Sequence, residues 1–407
     1  MNVLFLTMAQ MLDINNFGIY TDLMRKFAKE GHNVYIATPL QRRTKLNTRI
    51  IDNDNVHILG IKTLNVTKTN AIEQGIGQIL LEYQFIKNIK KYWSSINIDL
   101  ILYSTPPITF TNVIQFLKHT NPNAITYLLL KDIFPQNAID LGMLKKSGFK
   151  GILYRFFLRK EKELYHISDH IGCMSPANIK YILDHNPQIS TEKVEIAPNS
   201  CDVISNQNYN KIEVRKKFGL PCNKTIMIYG GNLGKPQGIP FLIECLKSNA
   251  NHPNCHFVII GNGTEYNKLD TWITQAKPTS VSLFESLPKE EYNQLASACD
   301  IGLIFLDYRF TIPNFPSRLL SYITHSKPII AVTDNNCDMG HIAEKNQFGL
   351  WCPSNSVETF DNVINKIIKC DIQEMGQKAF EFYQNNYTIQ HTYDAILNHF
   401  KSYSKHV

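Results

Sequence analysis

The sequence predicts an α/β protein with two doubly wound domains, and three observations support that prediction. The chain has 407 residues, and at about 100–200 residues per domain this length predicts two or three domains. Its composition, 43% apolar and 19% charged, is that of a folded globular protein and excludes extended disorder. Short apolar or β-branched runs alternate with longer helical patterns, which is typical of parallel sheets made of strand–helix–strand units.

The first series of strands lies in the N-terminal half of the chain. Strands are predicted at residues 2–8, 33–39, 56–61, 99–104, 124–130, 170–175 and 194–200. Helical patterns fill the gaps, among them 18–30, 72–92 and 151–167. Residues 1–200 are therefore predicted to form an N-terminal Rossmann-like domain.

A second series of strands predicts a second domain. Its strands are expected at residues 224–231, 256–261, 281–286, 300–306 and 328–333. The polar stretch 201–212 is the predicted linker, which leaves 213–371 as the C-terminal domain. Residues 372–407 have a helical pattern and are expected to pack back across the domain boundary. Ligands bind at the carboxyl ends of strands in such sheets, so we expect two facing domains with a central cleft.

Basic residues are concentrated in the first half of the chain. Residues 1–200 contain 23 Lys and Arg against 16 Asp and Glu, whereas 201–407 contain 19 of each kind. The basic residues cluster at 41–49 and, interleaved with aromatic residues, at 145–162. A helix in 145–162 has two interpretations. It could lie on an anionic membrane, or its aromatic residues could belong to the core while its cations face solvent. The candidate membrane or acceptor contacts are Arg42, Arg43, Lys150, Arg155 and Arg159. No nucleic-acid motif accompanies the charge, so nucleic acid is not an expected partner.

Several function classes lose support because their motifs are absent. The nine cysteines form no CxxC pair, which argues against structural zinc and disulfides. There is no HExxH, GxSxG or Cys/His signature of a hydrolase. Asp52, Asn53 and Asp54 are predicted to form a turn in a polar loop and not a metal site. No apolar run reaches the ~18 residues of a membrane span and the N-terminus lacks a leader pattern, so we expect a cytoplasmic chain.

A glycine-rich turn is the strongest local signal for a ligand. Residues 227–246 combine a strand, this turn and a helix, and the glycine and lysine positions are Gly230, Gly231, Gly234 and Lys235. Such a turn lets backbone amides approach a phosphate or diphosphate closely. It has neither the GK[ST] of a P-loop nor GxGxxG, and a turn without a ligand is the alternative. A second, weaker turn of the same shape contains Gly261 and Asn262.

Two further segments contain polar residues that could contact a ligand. In the segment 312–333, Ser317 is predicted to cap a helix and Arg318 to bind a phosphate bidentately. A surface arginine is the alternative for Arg318. Asp132 follows the apolar strand at 124–130, where a carboxylate is costly unless it has a role, and is a candidate acid, base or acceptor of a substrate hydroxyl. A helix cap is the alternative for Asp132.

The order of these segments resembles glycosyltransferase family 4, a family of the GT-B fold. The resemblance extends over almost the whole chain and rests on NFGIYTDLMRKFAKEGHNVYIAT, KDIFPQNAIDLGM, GGNLGKPQG, GNG, LPKEEYNQLASACDIGLIFL and PSRLLSYITHSKPIIA. Bacterial enzymes that build capsule, O-antigen or exopolysaccharide units are similar in pattern, including fucosamine-type aminosugar transferases. The fold class that the resemblance implies is α/β with the GT-B arrangement of two facing Rossmann-like domains. The resemblance also implies that residues 1–200 bind the acceptor and residues 213–371 bind the nucleotide sugar.

The resemblance also implies roles for the first glycine turn. Gly18 would lie near the donor diphosphate from the N-terminal domain, and the backbone of 231–237 would meet it from the C-terminal domain. The family commonly has Arg and Lys in this turn, and here Asn232 and Gln237 occupy the matching positions. Lys235 is then the nearest cation.

The family's two glutamates are also replaced in this sequence. Pro313 stands where the family has the glutamate near the donor sugar, and Ser321 where it has the one that binds the ribose. Arg318 matches the basic residue of that segment. The candidate catalytic residues are Asp132 and Lys235, and the candidate donor contacts are Gly18, Gly231, Asn232, Leu233, Gly234, Gln237, Gly261, Asn262, Ser317, Arg318 and Ser321.

The implied reaction is transfer of a sugar from a nucleotide diphosphate sugar, with UDP favoured, to a saccharide linked to polyprenyl diphosphate. Retention at the anomeric carbon without a metal or other cofactor is expected, because cations and helix amides would stabilise the leaving diphosphate. Such an enzyme would be peripheral on the inner face of the cytoplasmic membrane, an anionic surface that favours a basic domain. Two alternatives stay open, namely a sugar-nucleotide epimerase of the same fold and a non-catalytic relative that binds polysaccharide intermediates.

Overall fold

The computed structural model describes residues 1–66, 71–202 and 209–403, which divide into two compact units. Unit 1 contains Met1–Cys201 and Ile389–Val407, and unit 2 contains Asp202–Thr388. Each unit is a predominantly parallel sheet covered by helices, so the predicted α/β class with two Rossmann-like domains is confirmed. The predicted linker 201–212 and the predicted segment 372–407 lie partly outside the described residues.

Unit 1 is built on an eight-stranded sheet. Its strands are β1 (Asn2–Leu6), β2 (Asn33–Gln41), β3 (Arg49–Asn53), β4 (Val56–Thr63), β5 (Leu100–Ser104), β6 (Ile125–Leu130), β7 (His170–Cys173) and β8 (Val194–Ile196). They lie in the order β3-β4-β2-β1-β5-β6-β7-β8, in which only the β3–β4 pair of the described strands is antiparallel. The helices that connect them are α1 (Ile19–Lys29), α2 (Ala71–Trp93), α3 (Thr111–Thr120), α4 (Gln136–Asp140), α5 (Gly148–Ile167) and α6 (Pro176–His185).

The centre of this sheet positions three loops at one edge. Strands β5 and β6 are buried along their whole length, as the continuous apolar runs of a parallel sheet require. Because β1, β5 and β6 are parallel neighbours, the loops after them meet at the same carboxyl edge. The chain runs from β1 to β2 on one side and returns after β4 to β5 on the other side of β1, so the carboxyl end of β1 is the switch point of the sheet.

Unit 2 is built on a six-stranded sheet that is parallel throughout. Its strands are β9 (Thr225–Gly230), β10 (Cys255–Ile260), β11 (Val281–Phe284), β12 (Ile301–Phe305), β13 (Ile329–Thr333) and β14 (Gly349–Pro353), in the order β11-β10-β9-β12-β13-β14. Its helices are α7 (Lys211–Lys217), α8 (Ile239–Ser248), α9 (Tyr266–Ala276), α10 (Lys289–Ala298), α11 (Arg318–Ile323), α12 (Met339–Lys345), α13 (Val357–Ile367) and α14 (Ile372–Asn386).

A final helix, α15 (Ile389–Tyr403), belongs to unit 1 and not to the unit that precedes it in the chain. Its residues Ile389, Tyr393 and Ile396 are buried in one cluster with β1 and α1 residues such as Val3 and Phe27. His32 Nε2 lies 2.9 Å from Tyr393 Oη. Helix α15 therefore covers one face of the N-terminal sheet.

Two strands, β3 and β14, were not predicted. The predicted turn at Asp52 to Asp54 is wrong in part, because Asp52 and Asn53 end strand β3 and only Asp54 has the positive φ (45°) of a turn residue. Strand β3 is an edge strand that is mostly exposed, so it lacks the apolar run that identifies a buried strand. Among the described residues, no helix combines the length and the hydrophobicity that a membrane span requires.

The strand that leads to the second glycine turn contains a buried histidine, which predicts a pH-dependent stability. His256 in β10 is 6% exposed, its Nε2 lies 2.8 Å from Ser282 Oγ, and burial lowers its pKa from 6.5 to about 4. The folded state therefore binds a proton less readily than the unfolded state, and stability is lost as the pH falls below 6.5. We expect the free energy of unfolding to drop by about 2 kcal/mol between pH 7.5 and 5 through this residue.

Urea titrations followed by tryptophan fluorescence at the two pH values measure this drop. His256→Gln, which cannot be protonated, should flatten the pH dependence by the same amount, even though the variant itself is less stable. An unchanged pH dependence in His256→Gln would contradict the prediction.

Candidate functional site

The two glycine turns of unit 2 lie directly against each other. Gly231 follows β9 with φ +136°, and its amide donates to Ile260 O at 2.8 Å. Gly261 follows β10 with φ +149°, and a Cβ at this position would lie 1.8 Å from Gly231 O. A Cβ at Gly263 would lie 2.4 Å from Leu233 O. These glycines are therefore required by the close packing of the turns, whether or not a ligand binds.

Arg318 lies in the space that the missing side chain of Gly231 leaves. A Cβ at Gly231 would lie 2.4 Å from Arg318 Nη2, and the Arg318 guanidinium carbon lies 4.2 Å from the centroid of the Tyr229 ring. Such a cation–π contact orients a guanidinium without neutralising it. In the part of the chain that the structure describes, Arg318 forms no ion pair with a carboxylate. The structure thus places the charge of Arg318 at the first glycine turn, and phosphate binding by this residue stays a prediction.

Three tyrosines surround this arginine and fix the turn. Tyr229 Oη donates to Asn232 O at 2.7 Å, and Tyr322 Oη accepts from Gly230 N at 3.1 Å and donates to Leu303 O at 3.2 Å. The third, Tyr292, accepts from Ser321 Oγ at 3.4 Å, which joins Ser321 to the tyrosines around Arg318. These tyrosines were not predicted, because a tyrosine in an apolar strand or helix has the pattern of a core residue.

The remaining predicted residues of the first turn differ in what they offer a ligand. Asn232 Nδ2 donates to Gln237 Oε1 at 3.2 Å, and Lys235 is exposed in a short 3-10 turn. Leu233 must be removed from the predicted donor contacts, because its side chain is buried in the core and its amide donates to Asn262 O at 2.9 Å. Gly234 is buried, and a Cβ at this position would lie 2.7 Å from the side-chain nitrogen Nδ2 of Asn232.

The predicted cap at Ser317 is wrong in its chemistry. Ser317 occupies the N-cap position of α11, but its side chain makes no cap hydrogen bond. Its backbone is already helical (φ −63°, ψ −11°), whereas a capping serine needs an extended backbone to turn its oxygen towards the next amides. The Ser317 hydroxyl is therefore exposed next to Arg318.

Unit 1 holds a second polar cluster at the carboxyl edge of its sheet. Thr105 Oγ1 accepts from the amides of Lys131 (3.0 Å) and Asp132 (3.2 Å), which joins the loops after β5 and β6. Lys131 Nζ donates to Ala197 O at 2.8 Å, and burial lowers the pKa of Lys131 to about 7. Asp132 has an exposed surface, but the protein packed around its carboxyl desolvates the carboxylate and raises its pKa to about 6. The N-cap of α4 is Pro135, so Asp132 is not a helix cap.

The start of helix α1 completes this cluster. Gly18 is the N-cap of α1, and its amide donates to Asp22 Oδ1 at 3.1 Å. Burial raises the pKa of the neighbouring Tyr20 to about 12, and the charge of Asp132 contributes to that shift. Tyr20 and Lys131 were not predicted to belong to the site. Only their position after a strand end or at a helix start distinguishes them from ordinary core residues.

The predicted basic contacts occupy two separate places on unit 1. Arg42 lies 3.2 Å from Glu73 in an ion pair, and the amide of Arg43 donates to Asn65 Oδ1 at 2.9 Å. The others, Lys150, Arg155 and Arg159, are exposed along α5. The first turns of α5 also expose their apolar side chains, and Phe149 is 85% exposed. The interpretation of these apolar residues as core is therefore wrong for the first half of α5.

Comparison with known sequences identifies relatives for both units. Residues 210–386 match the family model described as Glycosyl transferases group 1. The chain is 22% identical over 382 residues to "Probable glycosyltransferase WbjE" of Pseudomonas aeruginosa, which covers 92% of this chain and 91% of that protein. It is also 22% identical over 227 residues, 54% of each chain, to "Putative colanic acid biosynthesis glycosyl transferase WcaI" of Escherichia coli strain K12.

Solved structures with the same fold cover the whole chain. Sucrose-phosphate synthase of Thermosynechococcus elongatus has a TM-score of 0.78 at 14% identity and covers 100% of both chains. HepE of Anabaena, solved in complex with UDP, has a TM-score of 0.68 at 14% identity and covers 99% of this chain and 100% of that one. These likenesses confirm the predicted GT-B fold.

The packing of the two glycine turns makes Gly261 a position where even one methyl group is costly. We expect Gly261→Ala to lower the free energy of unfolding by roughly 2–4 kcal/mol, because its Cβ would overlap Gly231 O and its backbone is strained for any other residue. Gly219→Ala is the matched control, since Gly219 also has a positive φ (+65°) but open space around it. The control should lose only about 1–2 kcal/mol. Equal losses in urea titrations of the two variants would contradict the packing argument.

Proposed function

We propose that this chain transfers a sugar from a nucleotide diphosphate sugar to a lipid-linked saccharide. The premise is that it is a glycosyltransferase with a group 1 domain over residues 210–386. The WcaI relative is described as a colanic acid biosynthesis enzyme, which favours a surface polysaccharide such as capsule or O-antigen as the product. The UDP held by HepE favours UDP as the nucleotide of the donor.

The observation on which this proposal rests is the environment of Arg318. Its guanidinium is enclosed by tyrosines and lies over the Tyr229 ring without a carboxylate partner among the described residues. A cation in such a place is costly unless an anion joins it. A diphosphate has the charge and the paired oxygens that a guanidinium fork binds bidentately.

The neighbouring groups of unit 2 suit the same anion. Asn232, Gly234 and Lys235 have amides at the first glycine turn, and the Lys235 ammonium is exposed above it. During transfer, the acceptor oxygen forms a bond to the anomeric carbon and gives up its proton, while the bond between the anomeric carbon and the diphosphate oxygen breaks and negative charge develops on the leaving diphosphate. Arg318, Lys235 and the turn amides would stabilise that charge, so we propose a reaction that needs no metal. Retention at the anomeric carbon is proposed from the family resemblance alone. The Ser321 hydroxyl would contact the nucleotide from beside Arg318.

Unit 1 is proposed to supply the groups that meet the acceptor. Asp132 is exposed at the carboxyl edge of its sheet and, with a pKa of about 6, is ionised at neutral pH. An ionised carboxylate there can accept the hydrogen bond or the proton of the attacking hydroxyl. Gly18 is proposed to contact the donor diphosphate at the start of α1. The exposed cations Lys150, Arg155 and Arg159 are proposed to meet the anionic lipid carrier or membrane.

Nucleotide binding tests the role of Arg318 and Lys235. In calorimetric titrations we expect UDP to bind in preference to GDP, ADP and CMP, with an affinity that EDTA does not change. Arg318→Ala and Lys235→Ala should each weaken UDP binding about tenfold, near 1.4 kcal/mol for a lost charged contact. Lys345→Ala, which removes an exposed cation of α12, is the control and should bind UDP like the unaltered protein. Absence of UDP binding, or loss of binding on adding EDTA, would contradict the proposal.

The pH dependence of transfer tests the role of Asp132. Its raised pKa predicts that kcat/KM for transfer rises with pH up to about 6 and then levels off, because only the ionised carboxylate accepts the hydroxyl. Asp132→Asn should lower kcat by roughly 100-fold or more and remove this limb of the profile, while the Kd for UDP stays the same. An Asp132→Asn variant with the unaltered profile would show that another group titrates.

A further inference from the structure

Exposed apolar side chains of unit 1 are concentrated on the first halves of two helices. On α2 they are Ile76, Ile79, Leu80 and Tyr83, and on α5 they are Phe149, Ile152, Leu153 and Phe156. Ile79 is 73% exposed and Phe149 is 85% exposed. Clusters of large exposed apolar side chains on a folded protein mark a surface that another apolar phase covers.

Both patches lie at the same edge of unit 1. Helices α2 and α5 each lead into a strand of the parallel part of the sheet, so both begin at the carboxyl edge where Asp132 lies. A contact links the α5 patch to the loop after β6, since the Phe134 and Phe157 rings meet edge to face at 5.0 Å and Phe157 meets Phe156 at 5.3 Å. The surface therefore adjoins the segment that holds the proposed acceptor residue.

A polar cluster fixes the two helices relative to each other through α3. Glu82 of α2 accepts from the Asn112 amide at 2.6 Å and from Asn112 Nδ2 at 2.7 Å. Lys160 of α5 donates to Thr111 Oγ1 at 2.6 Å and lies 4.0 Å from Glu82 Oε2. Helices α2 and α5 are thus both bonded to the first turn of α3, and each of them packs against α3.

The charge around this surface selects its partner. Residues 141–160 contain six Lys and Arg and no Asp or Glu. In the described part of the chain, Arg155, Arg159 and Lys162 form no ion pair with a carboxylate. An apolar face bordered by unpaired cations complements a surface that is anionic outside and apolar beneath, which is the chemistry of an anionic lipid bilayer.

We propose that the exposed faces of α2 and α5 together form one docking surface for an anionic bilayer, with the carboxyl edge of unit 1 directed towards the lipid. The inference rests on the proposed function in one respect, because a lipid-linked acceptor would reach the protein at such a surface. It goes further in assigning α2 as a second contact, which the sequence did not indicate because residues 71–82 contain no Lys or Arg.

Vesicle sedimentation of the full chain tests the surface. The vesicles are phosphatidylcholine alone and phosphatidylcholine mixed with phosphatidylglycerol. One double variant alters α2 (Ile79→Ser with Tyr83→Ser), and another alters α5 (Phe149→Ser with Ile152→Ser). The matched control alters two apolar residues of unit 2 that are similarly exposed, Ile212→Ser with Tyr308→Ser.

We expect binding to the anionic vesicles only, weakened by salt, with a loss of about fivefold or more in each of the α2 and α5 variants and none in the control. Equal binding to both kinds of vesicle, or unaltered binding by the α2 variant, would overturn the proposal. A dimer in lipid-free solution that the same variants dissociate would show that a second copy covers the surface instead.

UDP titrations of the same proteins separate this inference from the proposed function. The α2 and α5 variants should bind UDP like the unaltered chain, because all four of their altered residues lie in unit 1. A chain that binds anionic vesicles but no UDP would contradict the proposed function and leave the docking surface intact. A chain that binds UDP but no vesicles would contradict the docking surface and leave the proposed function intact.

Discussion

The arrangement of the site in unit 2 depends on the contact of the Arg318 guanidinium with the Tyr229 ring. That contact requires a glycine at position 231, because a Cβ there would overlap the Arg318 guanidinium. The turn at Gly231 in turn requires a glycine at position 261, because a Cβ there would overlap Gly231 O. Because an aromatic face holds a cation without cancelling its charge, the turn keeps a net positive centre. A carboxylate in place of the tyrosine would hold the arginine equally well but would repel the diphosphate that is proposed to bind here.

Much of the fold follows from the sequence because parallel strands are buried on both faces. Strands β5 and β6 are uninterrupted apolar runs, and nothing but a buried strand accounts for so short a run between helical patterns. Strand β3 lacks this signal because it lies at the sheet edge and is mostly exposed. Strand β14 begins with Gly349 and ends with Pro353, which are the residues that usually mark a loop.

The site was predictable where a residue is unusual for its position. A carboxylate after an apolar strand (Asp132) and an arginine in the first turn of a helix (Arg318) both stand out in the sequence. Tyr229 and Tyr322 do not, because their rings are buried and only their hydroxyls and the partner arginine distinguish them from core. Leu233 was assigned from its place in a motif, and a motif does not state which way a side chain points. Exposure of Phe149 required the three-dimensional neighbours of α5 to be known.

The return of helix α15 to unit 1 has a consequence for biosynthesis. The ribosome makes β1 to β8 first, then the 187 residues of unit 2, and only then the helix that covers Val3 and Phe27. At ~5–20 residues per second this interval lasts roughly 10–40 s. For that time the nascent first sheet lacks one helix of its cover, and apolar surface exposed in this way is prone to aggregation. The N-terminal half of this protein is therefore the first part to be made and the last to be completed.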